Sequence, residues 1–299
     1  KHALIESPHI MVLLDDPKKT VIEPLFKKIK KFEKIYDFKL MMKGGNIKGY
    51  KIKDESIWNQ VIENLEKLAD KESFNKKYGL KNKRPLLFAM GDGNHSLATA
   101  KATWEMTKNT ISRDQQKDHP SRYALIELLN IHDAGIKFEP IHRVVFNIKP
   151  EEILEDFYKF SKKQRSIFSV EFFKSKKELD SKIKKTSKKG NHLIGFVFGE
   201  NFGLIKVEKP KFNIEAGTLQ SFLDDYLLRN KESKIDYIHG EDTVTKFGKK
   251  NSNIGFYLPA MDKHDFFKTV IVDGTLPRKT FSLGEAEEKR FYLECRRIR

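Results

Sequence analysis

The chain has 299 residues, 58 basic against 42 acidic side chains for a net charge of +16, and a 38% hydrophobic content that includes 23 phenylalanines. That aromatic mass excludes an intrinsically disordered chain and suits one large domain or two of ordinary size. Cys295 stands alone, which excludes an internal disulfide and fits a reducing, cytoplasmic setting, and no apolar run reaches the length of a membrane span.

Taken in order, the chain begins with Lys1 and enters a buried strand over residues 9–14 almost at once, a start that predicts further residues upstream. A basic helix is expected over 20–34, then a hairpin around Gly44-Gly45-Asn46. An amphipathic helix over 55–71 carries Ile57, Val61, Ile62, Leu65 and Leu68 on one face. Residues 85–90 form a short apolar run read as a buried strand, followed by a glycine-rich turn and a helix over 97–107. A strand is expected over 138–146. Residues 150–208 then read as a compact inserted α+β unit: a helix over 151–162, a strand over 166–173, a lysine-rich helix over 176–189, and strands over 192–198 and 202–207. Beyond it the chain returns to the core through a helix over 219–229 and a strand over 254–259, and closes on an aromatic strand at 291–293. Residues 1–149, 150–208 and 209–299 are thus the expected divisions of a mixed α/β (α+β) fold. Cys295, inside the closing strand, is expected to be a small buried core residue.

The turn Gly91-Asp92-Gly93-Asn94-His95-Ser96 is the chief functional candidate. Glycines remove Cβ atoms where the chain bends sharply and a ligand must come close. The helix that follows offers free N–H groups and a positive dipole end, with Ser96 as the expected cap, so an anion such as phosphate is well received there. No Walker loop occurs, and Ser96 replaces the third glycine of a dinucleotide fingerprint. Asp92 repels phosphate unless it holds a divalent cation or a proton, so Asp92 with His95 suits acid–base work or magnesium-assisted phosphoryl transfer.

Three further groups invite attention. His142-Arg143, after the bend at Pro140, could relay a proton and hold a phosphate or carboxylate, or could bond neighbouring acids such as Glu139. His239 and Glu241, around Gly240, could bind a metal or a substrate amine, or simply cap the next helix. Arg278 and Lys279 put two cations after the rigid Leu276-Pro277 step, at an anion site or at a solvent-facing hairpin end.

The stretch Met90-Gly91-Asp92-Gly93-Asn94-His95-Ser96-Leu97-Ala98 resembles the family known as domain of unknown function 1015. Further resemblance lies in Phe138-Glu139-Pro140-Ile141-His142-Arg143, in Leu276-Pro277-Arg278-Lys279-Thr280-Phe281, and in Gly284-Glu285-Ala286 and Lys289-Arg290-Phe291-Tyr292-Leu293-Glu294. More distantly, the Asp-Gly-x-His block resembles the nucleotide site of the ParB/sulfiredoxin superfamily, which includes free-serine kinases. The resemblance implies a ParB/sulfiredoxin-like core with Gly91, Asp92, Gly93, Asn94, His95 and Ser96 lining a phosphate site. Ser96 stands where many relatives carry Arg, a cation that Arg143, Arg278 or Lys279 could replace. The activity it implies is nucleotide-dependent phosphoryl transfer, using ATP, ADP or CTP with magnesium, to a small hydroxyl-bearing metabolite such as free serine. The alternative is a non-catalytic nucleotide- or nucleic-acid-binding module, which the +16 charge invites; interleaved acids make the lysine runs read as solvated helix faces instead.

Overall fold

The apolar run Met11-Val12-Leu13-Leu14 lies at the centre of a three-stranded sheet in the computed structural model, which describes residues 3–7, 10–186, 189–284, 291 and 293–298. The fold is mixed α+β and divides into two units, Lys1–Lys137 with Leu283–Arg299, and Phe138–Ser282.

In the first unit the elements are β1 (Ile5–Glu6), β2 (Met11–Leu14), α1 (Glu23–Lys27), β3 (Glu33–Lys39), β4 (Asn46–Lys51), α2 (Glu55–Leu68), α3 (Lys71–Tyr78), β5 (Phe88–Asp92), α4 (Asn94–Lys108), α5 (Arg113–Lys117) and β6 (Glu127–Asn130). β2 lies between β5, antiparallel, and β6, parallel. With strands on both sides, Val12, Leu13 and Leu14 are all buried. His9, at the head of the expected first strand, and Pro8 before it lie outside the described residues. Helices α2 and α3 begin where carboxylates cap them: Asp54 accepts from the Ser56 N–H at 2.9 Å and Asp70 from the Ser73 N–H at 2.8 Å. Gly79, left-handed at φ +66°, ends α3.

The expected helix over 20–34 is a correction. Only Glu23–Lys27 is α-helical and buries no residue, a 3₁₀ turn follows at Ile29–Lys31, and β3 has begun by Glu33. Isolated lysine-rich turns gain little from packing, whereas Ile35, Tyr36 and Phe38 favour an extended chain that pairs with β4.

The second unit contains β7 (Phe138–Phe146), α6 (Pro150–Lys163), β8 (Ile167–Phe173), α7 (Lys176–Lys185), β9 (Asn191–Phe198), β10 (Asn201–Glu208), α8 (Glu215–Arg229), β11 (Lys234–His239), α9 (Glu241–Gly248), β12 (Asn253–Tyr257), α10 (Phe266–Asp273) and the first two residues of β13 (Phe281–Leu283). Its sheet runs β11-β7-β12-β9-β10-β8, with β13 also on β7. Alternate side chains serve two cores. One gathers Phe157 of α6 and Phe222 of α8, stacked at 4.3 Å, with Val145, Phe196 and Phe256; the other gathers Leu179 of α7 and Val244 of α9 with Val144, Val197 and Tyr257. Each fully buried phenylalanine contributes about 1.5–3 kcal/mol through surface removed from water. Residues 150–208 therefore form no separate insert: β8, β9 and β10 continue the sheet of β7, β11 and β12. Two of the five lysines of α7 face acids, Lys176 with Asp180 and Glu241 at 2.6 and 2.8 Å and Lys182 with Glu171 at 2.8 Å. Residues 187 and 188, at the end of that expected helix, lie outside the described residues.

The chain ends in β14 (Arg296–Arg297), antiparallel to β1. The expected closing strand at 291–293 is absent from the described residues, Tyr292 lying outside them, and Cys295 is exposed instead of buried. Among the described residues β14 pairs with the equally short β1 alone, and Cys295 lies just before it, outside the strand. Of the terminal resemblance, Glu285, Ala286, Lys289 and Arg290 also lie outside the described residues. No helix among the described residues is long and apolar enough to cross a membrane.

Candidate functional site

β5 delivers the chain to Asp92, and α4 begins at Asn94. The buried strand expected over 85–90 is a correction: β5 starts only at Phe88 and, as an edge strand paired among the described residues with β2 alone, buries none of its residues. Between them Gly93 is left-handed at φ +83°, a conformation that costs an L-residue about 1–2 kcal/mol and glycine nothing. The Asp92 carboxylate accepts from the Gly93 N–H at 2.7 Å and so fixes the bend. Gly93 is itself the N-cap of α4, and no side chain caps the helix. Ser96 is the third helical residue rather than the cap, because the bend closes three residues earlier than the sequence suggests. The amide of Leu97 donates to the Gly93 carbonyl at 3.0 Å, while Asn94, His95 and Ser96 are exposed. The first-turn amides have no intrahelical acceptor and stand at the positive end of a 15-residue helix.

Gly91 serves packing, not ligand approach. A Cβ there would lie 2.8 Å from Leu283 Cδ1 and 3.0 Å from Leu13 Cγ. Beside the exposed end of α4 opens a cavity of about 370 Å³, whose lining includes His95, Ser96, Thr99, Thr103, Ser121 and Tyr123. That volume is in the range of small-ligand sites. Thr99 and Thr103 donate to the His95 and Thr99 carbonyls at 2.9 Å.

The same unit holds a cluster that the sequence does not signal. Asp15, directly after β2, accepts from His132 Nε2 at 2.6 Å and from Lys77 Nζ at 2.7 Å, and it also bonds the Tyr78 hydroxyl. Burial pushes the Asp15 carboxyl up, but the bonds from Lys77, Tyr78 and His132 outweigh it and hold the group below its ordinary value. Burial and the Asp15 hydrogen bond push the Tyr78 phenol up. Asp16, wholly buried, accepts from the Val21 N–H at 2.9 Å, and Asn130 donates to the Asp16 carbonyl at 2.8 Å.

The other candidates belong to the second unit. β7 runs through residues 138–146, so strand alternation sends His142 and Arg143 to opposite faces of the sheet, and the two cannot act as one site. Both are buried. His142 Nδ1 accepts from the Leu258 N–H at 3.0 Å, which leaves the proton on Nε2, and burial lowers its pKa to about 4. Arg143 donates to Gln220 Oε1 at 2.9 Å and to the carbonyls of Ile141 at 2.6 Å and Arg278 at 3.2 Å. Its guanidinium carbon lies 4.6 Å from the Tyr237 ring centroid; Arg278 lies at 5.6 Å and Lys279 at 5.8 Å from the same ring. His239 ends β11 and is exposed, while Glu241 opens α9 and pairs with Lys176 at 2.8 Å. No group of three or more His, Cys, Asp or Glu with metal-holding geometry occurs among the described residues.

A family model described as "Protein of unknown function (DUF1015)" matches residues 1–226. Among solved structures, a conserved hypothetical protein from Pyrococcus furiosus is similar at 16% identity over 67% of this chain and 71% of that one, with a TM-score of 0.41. A free serine kinase in complex with ADP is similar at 10% identity over 92% and 84% of the two chains, with a TM-score of 0.39. The same kinase with AMP gives 12%, 63% and 80%, and 0.37. No curated protein matches the chain.

Proposed function

The chain belongs to the DUF1015 family, and from that premise we propose that it is a small-molecule kinase that binds the phosphates of a nucleotide at the turn between β5 and α4. The observation that carries this reading is the uncapped start of α4 at Gly93, followed by the exposed Asn94, His95 and Ser96, the last two lining a cavity. Amides at a helix start donate to phosphate oxygens without the desolvation cost of a buried charge, and the helix dipole adds to the attraction. His95, in the first turn, reaches outward as a further donor, and the Ser96 hydroxyl beside it can bond a second oxygen. Asn94 supplies a neutral donor where added negative charge would repel the ligand.

Asp92 supports the same reading in two ways. Its bond to the Gly93 N–H holds the bend that aims the amides, and it is the carboxylate nearest in sequence to the phosphate-binding residues. Magnesium keeps several oxygens from phosphate and water and needs only one or two carboxylates, so a single Asp fits it. When bound, the ion would neutralise phosphate charge. The acceptor is then a small hydroxyl-bearing metabolite, with free serine the first to try on the motif resemblance.

Calorimetric titration with ATP, ADP, CTP and GTP in the presence of magnesium tests the site. His95→Ala is expected to weaken nucleotide binding about tenfold, the value of one charge-assisted contact. Gly93→Val, which forces a β-branched residue to φ +83°, is expected to abolish binding while the fold persists. A folded protein that binds no nucleotide, or binds equally well with Gly93→Val, overturns the reading. Tight binding without phosphoryl transfer to any hydroxyl acceptor, followed by phosphorus NMR, reduces it to a binding module.

A further inference from the structure

Tyr237 of β11 has a hydroxyl that is shut off from solvent and has no hydrogen-bond partner among the described residues. A buried phenol usually finds an acceptor, so an unmatched one points to a ligand that supplies it. The surroundings of the ring narrow the choice of ligand. Arg143, Arg278 and Lys279 lie within 4.6, 5.6 and 5.8 Å of its centroid. Against these three cations, the ion pairs of the described residues set one carboxylate, Asp224, 3.2 Å from Arg278. Two positive charges are left over, and Lys279 has no acidic partner among the described residues. Arg143 makes the imbalance costly, because it is wholly buried and its acceptors are a side-chain amide and backbone carbonyls, which carry no net charge.

The backbone holds this arrangement in place. Lys279 sits at φ +53°, unusual for a residue with a side chain. The turn around it is tied twice, by the Thr280 hydroxyl to the Pro277 carbonyl at 2.7 Å and by Arg143 to the Arg278 carbonyl at 3.2 Å. A strained lysine held over an aromatic ring by a buried arginine is a device for presenting charge.

We propose that the second unit carries an oxyanion site at Tyr237, where the phenol hydroxyl, the Lys279 ammonium and the Arg278 guanidinium hold a phosphate-class dianion. Arg143 is a positioning residue there: it braces the turn and deepens the positive field. A dianion matches the two uncompensated charges, whereas a carboxylate would leave one over. Approaching ligand meets Arg278 and Lys279 first, since both are exposed. The site stands on residues of the second unit alone and does not depend on the turn before α4.

Titration of the whole chain with inorganic phosphate and with acetate, at low ionic strength, tests it. Phosphate is expected to bind and acetate to bind at least tenfold more weakly. Lys279→Gln is expected to weaken phosphate about tenfold, and Tyr237→Phe several-fold, through the loss of one charge-assisted hydrogen bond. Asp224→Asn is expected to tighten it by a similar factor. Gly93→Val separates the two sites, since it should leave this phosphate binding intact whatever it does to nucleotides. Phosphate affinity that is unchanged in both Lys279→Gln and Tyr237→Phe overturns the proposal, whether or not Gly93→Val affects it.

Discussion

At the scale of single residues, the two buried histidines of the second unit set its response to acid. His142 is 1% exposed and His192 is 5% exposed, with Nδ1 of His192 2.8 Å from the Thr218 hydroxyl. Burial takes both from 6.5 to about 4. The sign follows from proton counting. Between pH 6.5 and 4 the unfolded chain binds protons that the folded chain refuses, so stability is complete above 6.5, falls as the pH drops toward 4, and levels off there. Each histidine accounts for about 3 kcal/mol of that fall. Thermal melting of His192→Gln, which keeps a side chain able to bond Thr218, should therefore show a shallower decline over this window than the parent chain. Parallel curves from pH 7 to 4 would refute the assignment. In the sequence, His142 is visible as a polar residue entering an apolar strand, but its burial is not, because that depends on α9 and on the Leu258 amide, 116 residues away. The Asp15 cluster is hidden for the same reason: His132 reaches Asp15 across 117 residues, and no local spacing records such a meeting.

At the scale of elements, α9 lies against the sheet through glycine. A Cβ on Gly248 would stand 2.7 Å from Val197 Cγ1 and 2.9 Å from both the Gly255 nitrogen and the Val197 carbonyl oxygen; one on Gly255 would meet the Val244 oxygen at 3.0 Å. Side-chain ends can turn aside, but backbone atoms in a ladder cannot, so even a methyl group must lift the helix. Gly248→Ala is expected to cost about 2 kcal/mol, within the range for overpacking a core. In urea titration it should lower the midpoint without changing the slope; a loss under 0.5 kcal/mol would mean that α9 is not seated as described. Local chemistry of this kind was partly legible. An apolar run, two glycines and an alanine-rich stretch announce β5, the bend and α4, since all three are decided by neighbours in sequence. The hairpin at Gly45, left-handed at φ +86°, is legible on the same ground. The tract from 20 to 34 misleads because lysines spaced among apolar residues imitate a helix period, while the β3–β4 pairing that ends the helix is formed with residues 46–51.

At the scale of the whole chain, the order β11-β7-β12-β9-β10-β8 explains why residues 150–208 look like an insert and are not one. Each strand and helix of that stretch is visible in its own pattern. Which strands pair is fixed by side chains on two faces, Ile194, Phe196 and Val145 on one and Leu193, Val197 and Val144 on the other, and pairing across such distances leaves no mark on composition. The true division falls at residues 137/138 and 282/283. Phe138 opens the second unit and Phe281 nearly closes it, and their rings stack at 3.9 Å with planes 2° apart, so the segment begins and ends at one place. A segment with adjoining ends, two cores and its own sheet meets the conditions for independent folding. Residues 138–282, expressed alone, should give a single cooperative unfolding transition, and should bind phosphate with the affinity of the whole chain if the Tyr237 site is correctly placed. A soluble segment without a cooperative transition would show that the first unit supplies part of this core, and would move the domain boundary.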